Sequence, residues 1–188
     1  MALVILDRDG VINEDSDAFI KSLDEWIPLP GSIDAIARLS RGGYTVAVAT
    51  NQSGLGRGLF GMAELEAMHR RLLQLVIAAG GMIDGIYYCP HRPDEGCTCR
   101  KPLPGMLDAI ARDLGQPLAG AAVVGDSLRD LEAGLARGCT PYLVRTGKGA
   151  ATEAKLRASA SPLLAGLRIF DSLAECADHL LQHQGTQP

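Results

Sequence analysis

Alternating strand-like and helix-like segments predict an α/β fold, a doubly wound and mainly parallel sheet with helices on both faces. Two observations carry this. Short apolar runs recur at residues 3–6, 45–49, 83–88, 121–124, 141–144 and 167–170, and segments with apolar residues at helical spacing lie between them. The composition agrees, because 47% apolar content with only 4% aromatic suits the aliphatic packing of a helix-covered sheet.

Taken in order, Leu3-Val4-Ile5-Leu6 stops abruptly at Asp7-Arg8-Asp9-Gly10 and reads as a buried strand ending in a turn. A first helix opens near Pro30-Gly31-Ser32, carries Ile33, Ile36, Ala37 and Leu39 on one face, and ends at Gly42-Gly43. The run 45–49 follows. A second helix spans residues 63–79, with Leu65, Met68, Leu72, Val76 and Ile77 at helical spacing before Gly80-Gly81. After 83–88, a third helix starts at Pro104 and runs to Gly115 with Leu107, Ile110, Ala111 and Leu114 inside. The run 121–124 leads to a fourth helix, 128–137, closed by Gly138. Residues 147–166, rich in Ala, Ser and Gly, read as loop or short helix. A strand at 167–170 and a helix at 172–183 finish the chain.

At 188 residues the chain suits one Rossmann-like domain over residues 1–184, with 185–188 expected to fray. The net charge of −4 with no basic stripe points away from nucleic-acid partners. No apolar stretch is long enough to span a membrane, and Met1-Ala2-Leu3-Val4 lacks a basic export signal. A cytoplasmic protein is expected, in which the five cysteines are thiols or metal ligands.

Four polar clusters end strands or precede helices: Asp7/Asp9, Thr50-Asn51-Gln52-Ser53, Arg100-Lys101, and Gly125-Asp126-Ser127-Leu128-Arg129-Asp130. In a parallel sheet such strand ends share one edge, where open α/β sheets hold ligands. The set suits phosphoryl transfer. Asp7 would attack phosphorus and form an aspartyl-phosphate. Asp9 would protonate the leaving alkoxide and then deprotonate the hydrolytic water. Thr50 and Lys101 would hold the phosphoryl oxygens. Asp7, the Asp9 backbone carbonyl and Asp126 are hard oxygen ligands suited to Mg²⁺. Asp130 would hold metal-bound water, position Lys101, or serve as a plain surface acid.

Cys89-Pro90-His91 and Cys97-Thr98-Cys99 supply three thiolates and one imidazole within a short segment. Four protein ligands match a closed tetrahedral Zn²⁺ site with a structural role, ordering a loop that aims Arg100 and Lys101. Cys139 and Cys176 read as core residues.

From residue 3 to about residue 144 the chain resembles the haloacid dehalogenase-like phosphohydrolases. Asp7-x-Asp9-Gly10, Thr50, Lys101 and Gly125-Asp126-x-x-x-Asp130 match that family's four motifs in order. The spacing leaves no room for an inserted cap domain, so loops at 13–27, 52–61 and 90–99 would wall the site and bring Asp15, Asp17, Lys21, Arg57 and Arg92. Either Arg57 or Arg100 would bind a second phosphate.

The whole pattern is similar to the capless, zinc-loop branch, which contains phosphatases of heptose 1,7-bisphosphate and of histidinol phosphate. Thr50-Asn51-Gln52-Ser53-Gly54, Arg57-Gly58 and Pro104-Gly105-Met106 are closer to the heptose group. The short metal loop is closer to the histidinol group, and Ser127 stands where some heptose enzymes carry lysine. The resemblance implies Mg²⁺ and Zn²⁺ as cofactors and a small sugar phosphate as substrate, losing its 7-phosphate. Arg100 would recognise it, and Asp15, Ser16, Asp17, Ala18, Asn51, Gln52 and Ser53 would contact sugar or phosphates. A monomer is expected. A polynucleotide 3′-phosphatase is disfavoured by the charge. A zinc-stabilised, non-catalytic binding module is opposed by the intact Asp7, Asp9, Lys101 and Asp126.

Overall fold

The first apolar run lies at the centre of the sheet. In the computed structural model, which describes residues 2–183, strand β1 (Ala2–Leu6) pairs in parallel with β2 (Tyr44–Asn51), matching Val4 with Val46 and Leu6 with Val48. On its other side β1 pairs with β4 (Ala122–Gly125), matching Ile5 with Val123. With β3 (Gly85–Cys89), β5 (Thr140–Val144) and β6 (Arg168–Phe170), the six strands among the described residues form one parallel sheet in the order β3-β2-β1-β4-β5-β6. The fraying expected at 185–188 lies outside the described residues.

This order builds outward from β1 in one direction and then restarts beside β1 with β4. The reversal opens a crevice at the carboxyl ends of β1 and β4, the place where doubly wound sheets bind ligands. Asp7 and Asp126 follow those two strand ends.

Alternate residues of each strand feed opposite cores. Val4, Leu6, Val46 and Val48 join Ile36 and Leu39 of α1 (Ser32–Arg41), Leu65, Met68 and Leu72 of α3 (Met62–Ala78), and Leu173 and Leu180 of α7 (Leu173–Gln182). Leu3, Ile5, Ala47 and Val123 face the other way, onto Met106, Leu107 and Ile110 of α4 (Gly105–Leu114) and Ala133 of α5 (Leu128–Leu135). Burying both faces is why these strands are nearly continuous apolar runs.

Two segments are more regular than the sequence suggests. A one-turn helix, α2 (Ser53–Gly56), follows β2 directly. Within 147–166, a ten-residue helix, α6 (Gly149–Ala158), precedes a 3₁₀ turn at Pro162–Ala165. Only Gly149, Thr152 and Leu156 of α6 are buried, too thin an apolar stripe to mark a helix by periodicity. Among the described residues no further domain covers the crevice, and no helix is long and apolar enough to cross a membrane.

Candidate active site

Asp7 extends the sheet by one hydrogen bond, its N–H donating to Val124 O at 2.9 Å, so the carboxylate stands at the crevice. Gly10 turns the chain away at a φ of 86°. A Cβ there would lie 2.1 Å from Asp126 Oδ2, so only glycine lets the two strand ends meet this closely.

Lys101 reaches the same point from the segment before α4. Its Nζ lies 2.9 Å from Asp7 Oδ1 and 2.5 Å from Asp130 Oδ1, and donates to Ala49 O at 2.7 Å. Its main chain is held by Asn51, which donates through Nδ2 to Lys101 O and accepts from Lys101 N–H, both at 3.0 Å. Gln52 Nε2 donates to Thr50 Oγ1 at 2.9 Å and to Asp9 Oδ2 at 2.8 Å. The end of β2 and the residue after it therefore brace the end of β1 and the lysine together.

Charge is crowded here. Burial, then Asp130, raises the Asp7 carboxyl well above its usual range; Lys101 opposes this, and Asp126 and Asp9 add to it. Burial also pushes Asp126 up to about 6, against a hydrogen bond from the Lys148 N–H. For Lys101, burial works against the charge, but Asp130 and Asp7 outweigh it and hold the ammonium above the usual lysine range. One carboxylate oxygen each from Asp7, Asp126 and Asp130 lies within 4.8 Å of the others. Asp7 and Asp126, each raised by burial, are hard oxygen donors whose crowding a divalent cation relieves.

The cavity around them measures about 250 Å³. Asp7, Asp9, Thr50, Lys101, Asp126 and Asp130 line it. So do Asp15, Ser16 and Asp17 from the loop after β1, Asn51, Gln52, Ser53 and Arg57 from the β2 end, and Arg100. Ala18 does not: it is exposed, and its carbonyl accepts from Lys21 Nζ at 3.1 Å. Lys21 and Arg92 are also outside, paired with Glu25 and Glu95.

The structure adds residues that the sequence reading did not single out. Arg129 and Lys148 line the cavity. Lys148 Nζ lies 3.1 Å from Asp15 and 3.3 Å from Asp17, and its N–H donates to Asp126 Oδ2 at 2.8 Å. Its signal was its place on the loop after the β5 end, a further strand end on the active edge.

The Cys/His loop forms a second cluster. Cys89 Sγ lies 3.2 Å from Cys99 Sγ, 3.7 Å from Cys97 Sγ and 3.5 Å from His91 Nδ1, and His91 Nδ1 is 3.3 Å from Cys99 Sγ. Zn–S bonds of about 2.3 Å in a tetrahedron need ligand edges of about 3.7 Å, so the four atoms fit zinc with little movement. Burial opposes ionisation of Cys97, yet a backbone N–H from Arg100 and the neighbouring thiols bring its thiol down to about 7.

Two family models match the chain: HAD-hydrolase-like over residues 98–176 and polynucleotide kinase 3 phosphatase over residues 3–128. Among curated relatives, the D-glycero-β-D-manno-heptose-1,7-bisphosphate 7-phosphatase of Pseudomonas aeruginosa is 59% identical over 96% of this chain and 98% of its own length. That of Neisseria meningitidis serogroup B is 49% identical over 100% of this chain and 98% of its own. The crystal structure of the Bordetella bronchiseptica D,D-heptose 1,7-bisphosphate phosphatase, complexed with magnesium and phosphate, superposes with a TM-score of 0.91 at 55% identity. It covers 97% of this chain and 99% of that one.

Proposed function

The chain belongs to the haloacid dehalogenase-like phosphohydrolases, and within that family we propose that it removes the 7-phosphate of D-glycero-β-D-manno-heptose 1,7-bisphosphate. The observation that carries this reading is the convergence of Asp7, Thr50, Lys101 and Asp126 in one cavity at the sheet's switch point. The near-full-length relatives that act on this substrate support the choice of sugar.

In the first step an Asp7 carboxylate oxygen forms a bond to phosphorus as the bond to the C7 oxygen breaks. The departing alkoxide takes a proton from Asp9, leaving an aspartyl-phosphate and a free hydroxyl. In the second step water gives a proton back to Asp9 and attacks phosphorus, and the Asp7–phosphorus bond breaks to release inorganic phosphate. Lys101 and Thr50 hold the equatorial oxygens on which charge accumulates. Asp130 keeps the ammonium in place, and Asn51 fixes the main chain that carries it.

Asp7 and Asp126, with the Asp9 carbonyl, would hold Mg²⁺, which when bound neutralises charge between nucleophile and phosphate. Cys89, His91, Cys97 and Cys99 would hold a structural Zn²⁺. Arg57 and Arg100, with Asp15, Ser16, Asp17, Gln52 and Ser53, would grip the rest of the substrate. The reading is of a monomer acting on a small molecule, since the cavity at the sheet edge already holds nucleophile, acid, lysine and metal-binding acid together. Five free cysteines support a reducing, cytoplasmic setting.

The test is phosphate release with Mg²⁺ from both anomers of heptose 1,7-bisphosphate and from histidinol phosphate, with Asp7→Asn as blank. A clear kcat/KM preference for the β-anomer is expected. Preference for histidinol phosphate would overturn the substrate assignment while leaving the hydrolytic chemistry standing.

A further inference from the structure

Between the two aspartates lies a charged residue that the mechanism above does not use. Arg8 is fully buried, at 0% exposure, and is the largest of the fully buried side chains. It does not line the cavity. Its guanidinium grips Asp9 along two edges: Nε donates to Oδ1 at 2.9 Å and Nη2 to Oδ2 at 3.0 Å. Asn13 Nδ2 adds a third donor at 2.8 Å on Oδ1, and Gln52 Nε2 a fourth at 2.8 Å on Oδ2.

On its far side the guanidinium meets α3. Arg8 Nη1 lies 3.4 Å from His69 Nε2. Burial, together with the arginine's charge, pushes His69 down to about 4, so at neutral pH the imidazole is uncharged and its nitrogen can accept from Arg8. The His69 ring packs against Tyr88 with centroids 6.0 Å apart, which sets its plane.

Burying a guanidinium is costly unless the site uses its geometry. Lysine could neutralise Asp9, but only a planar fork can fix the rotation of a carboxylate about its own axis. We propose that Arg8 is a positioning residue that clamps the Asp9 carboxylate in the orientation from which it passes its proton to the leaving oxygen, and that His69 aims the clamp from α3. Gln52, which also touches Thr50 on the cavity side, is the donor that gives way when Asp9 exchanges its proton. Arg8 holds its grip throughout.

The proposal rests on Asp9 being the acid, and the test separates the two claims. For an ester with a poor leaving group, kcat/KM includes proton delivery to the departing alkoxide. For p-nitrophenyl phosphate the phenolate leaves unaided, so kcat/KM is insensitive to the acid. The measurement is kcat/KM on heptose 1,7-bisphosphate and on p-nitrophenyl phosphate for Arg8→Met, Arg8→Lys, His69→Phe and Asp9→Asn, with melting temperatures alongside.

Arg8→Met should lose about 30-fold or more on the sugar phosphate but no more than about threefold on p-nitrophenyl phosphate, because a misaimed acid forfeits much of its contribution. Arg8→Lys should fall between wild type and Arg8→Met. His69→Phe should show the same selective loss at about three- to tenfold, and it carries the test if Arg8→Met does not fold. Equal losses on both substrates, or none, would overturn the clamp. If Asp9→Asn itself shows no dependence on the leaving group, the acid assignment fails first and the clamp with it.

Discussion

Lys101 is bound more closely by Asp130 than by Asp7, with Nζ at 2.5 Å from the first and 2.9 Å from the second. Asp130 is 2% exposed, and its other oxygen accepts from Ser127 N–H and Oγ. It therefore caps the start of α5 and anchors the ammonium with the same carboxylate. The lysine bridges nucleophile and anchor, so it is already aimed before a phosphate arrives.

Removing the anchor's charge should loosen that aim. Asp130→Asn keeps the shape and can still accept from Ser127, but leaves Asp7 as the one carboxylate on Lys101, beside the Ala49 carbonyl. A kcat loss of about 10- to 100-fold with a smaller change in KM is expected, since Lys101 acts where charge develops. Steady-state kinetics with circular dichroism as a fold control check it. An unchanged kcat would mean that Asp7 and the Ala49 carbonyl suffice to hold the lysine.

Asp7→Asn should abolish turnover, because an amide cannot form the acyl phosphate. The fold should survive, since the substitution also relieves carboxylate crowding in a site where burial already disfavours the charge. Phosphate release with Mg²⁺, and melting temperature measured without it, test the two halves. Near-normal turnover would rule out the covalent route.

Stability without metal should depend on pH through Asp126. Burial raises its carboxyl in the folded protein to about 6, above the 3.8 of a free aspartate, so the folded protein holds that proton more tightly than the unfolded chain. The contribution is fully present below pH 3.8 and is lost as pH rises through about 6. In chelator, Asp126→Asn should therefore gain melting temperature over wild type at pH 7, with the gap closing toward pH 4.5. Added Mg²⁺ should stabilise wild type more at pH 7 than at pH 5. A gap that does not vary with pH would contradict the raised pKa.

The Cys/His loop should couple metal to both fold and activity. Cys97→Ser is expected to lower bound zinc and melting temperature, and to reduce kcat by about tenfold or more through misplacement of Arg100 and Lys101. Metal analysis, thermal melts and kinetics on one preparation check this. Zinc loss with unchanged melting temperature and activity would remove the structural role.

Much of the site was legible because its signals are local. An apolar run stopped by an acid marks a strand end whatever surrounds it, and parallel strand ends share an edge, so Asp7, Thr50 and Asp126 were readable as neighbours. The four ligands of the Cys/His loop sit within one short segment and needed no fold to bring them together. Helix α6 was legible only as loop or short helix, because two of its three buried positions are Gly149 and Thr152 and leave Leu156 as the one large apolar residue on that face. The position of Ala18 was not legible, since it lies beside cavity-lining residues in sequence but is exposed outside the cavity.

The sequence by itself determined the sheet's alternation, the acids and lysine at its active edge, and the metal-ligand set, because each depends on the spacing of neighbouring residues. Only the tertiary structure decided what each group is paired with. Lys148 meets Asp15, Asp17 and Asp126 because β5 lies beside β4 in the sheet, and Arg8 turns inward onto Asp9 and His69 because α3 packs across that face. Apart from Arg8 with its neighbour Asp9, these pairings join residues far apart in the chain. They are set by strand order and helix packing, which the burial of apolar surface selects for the molecule as a whole.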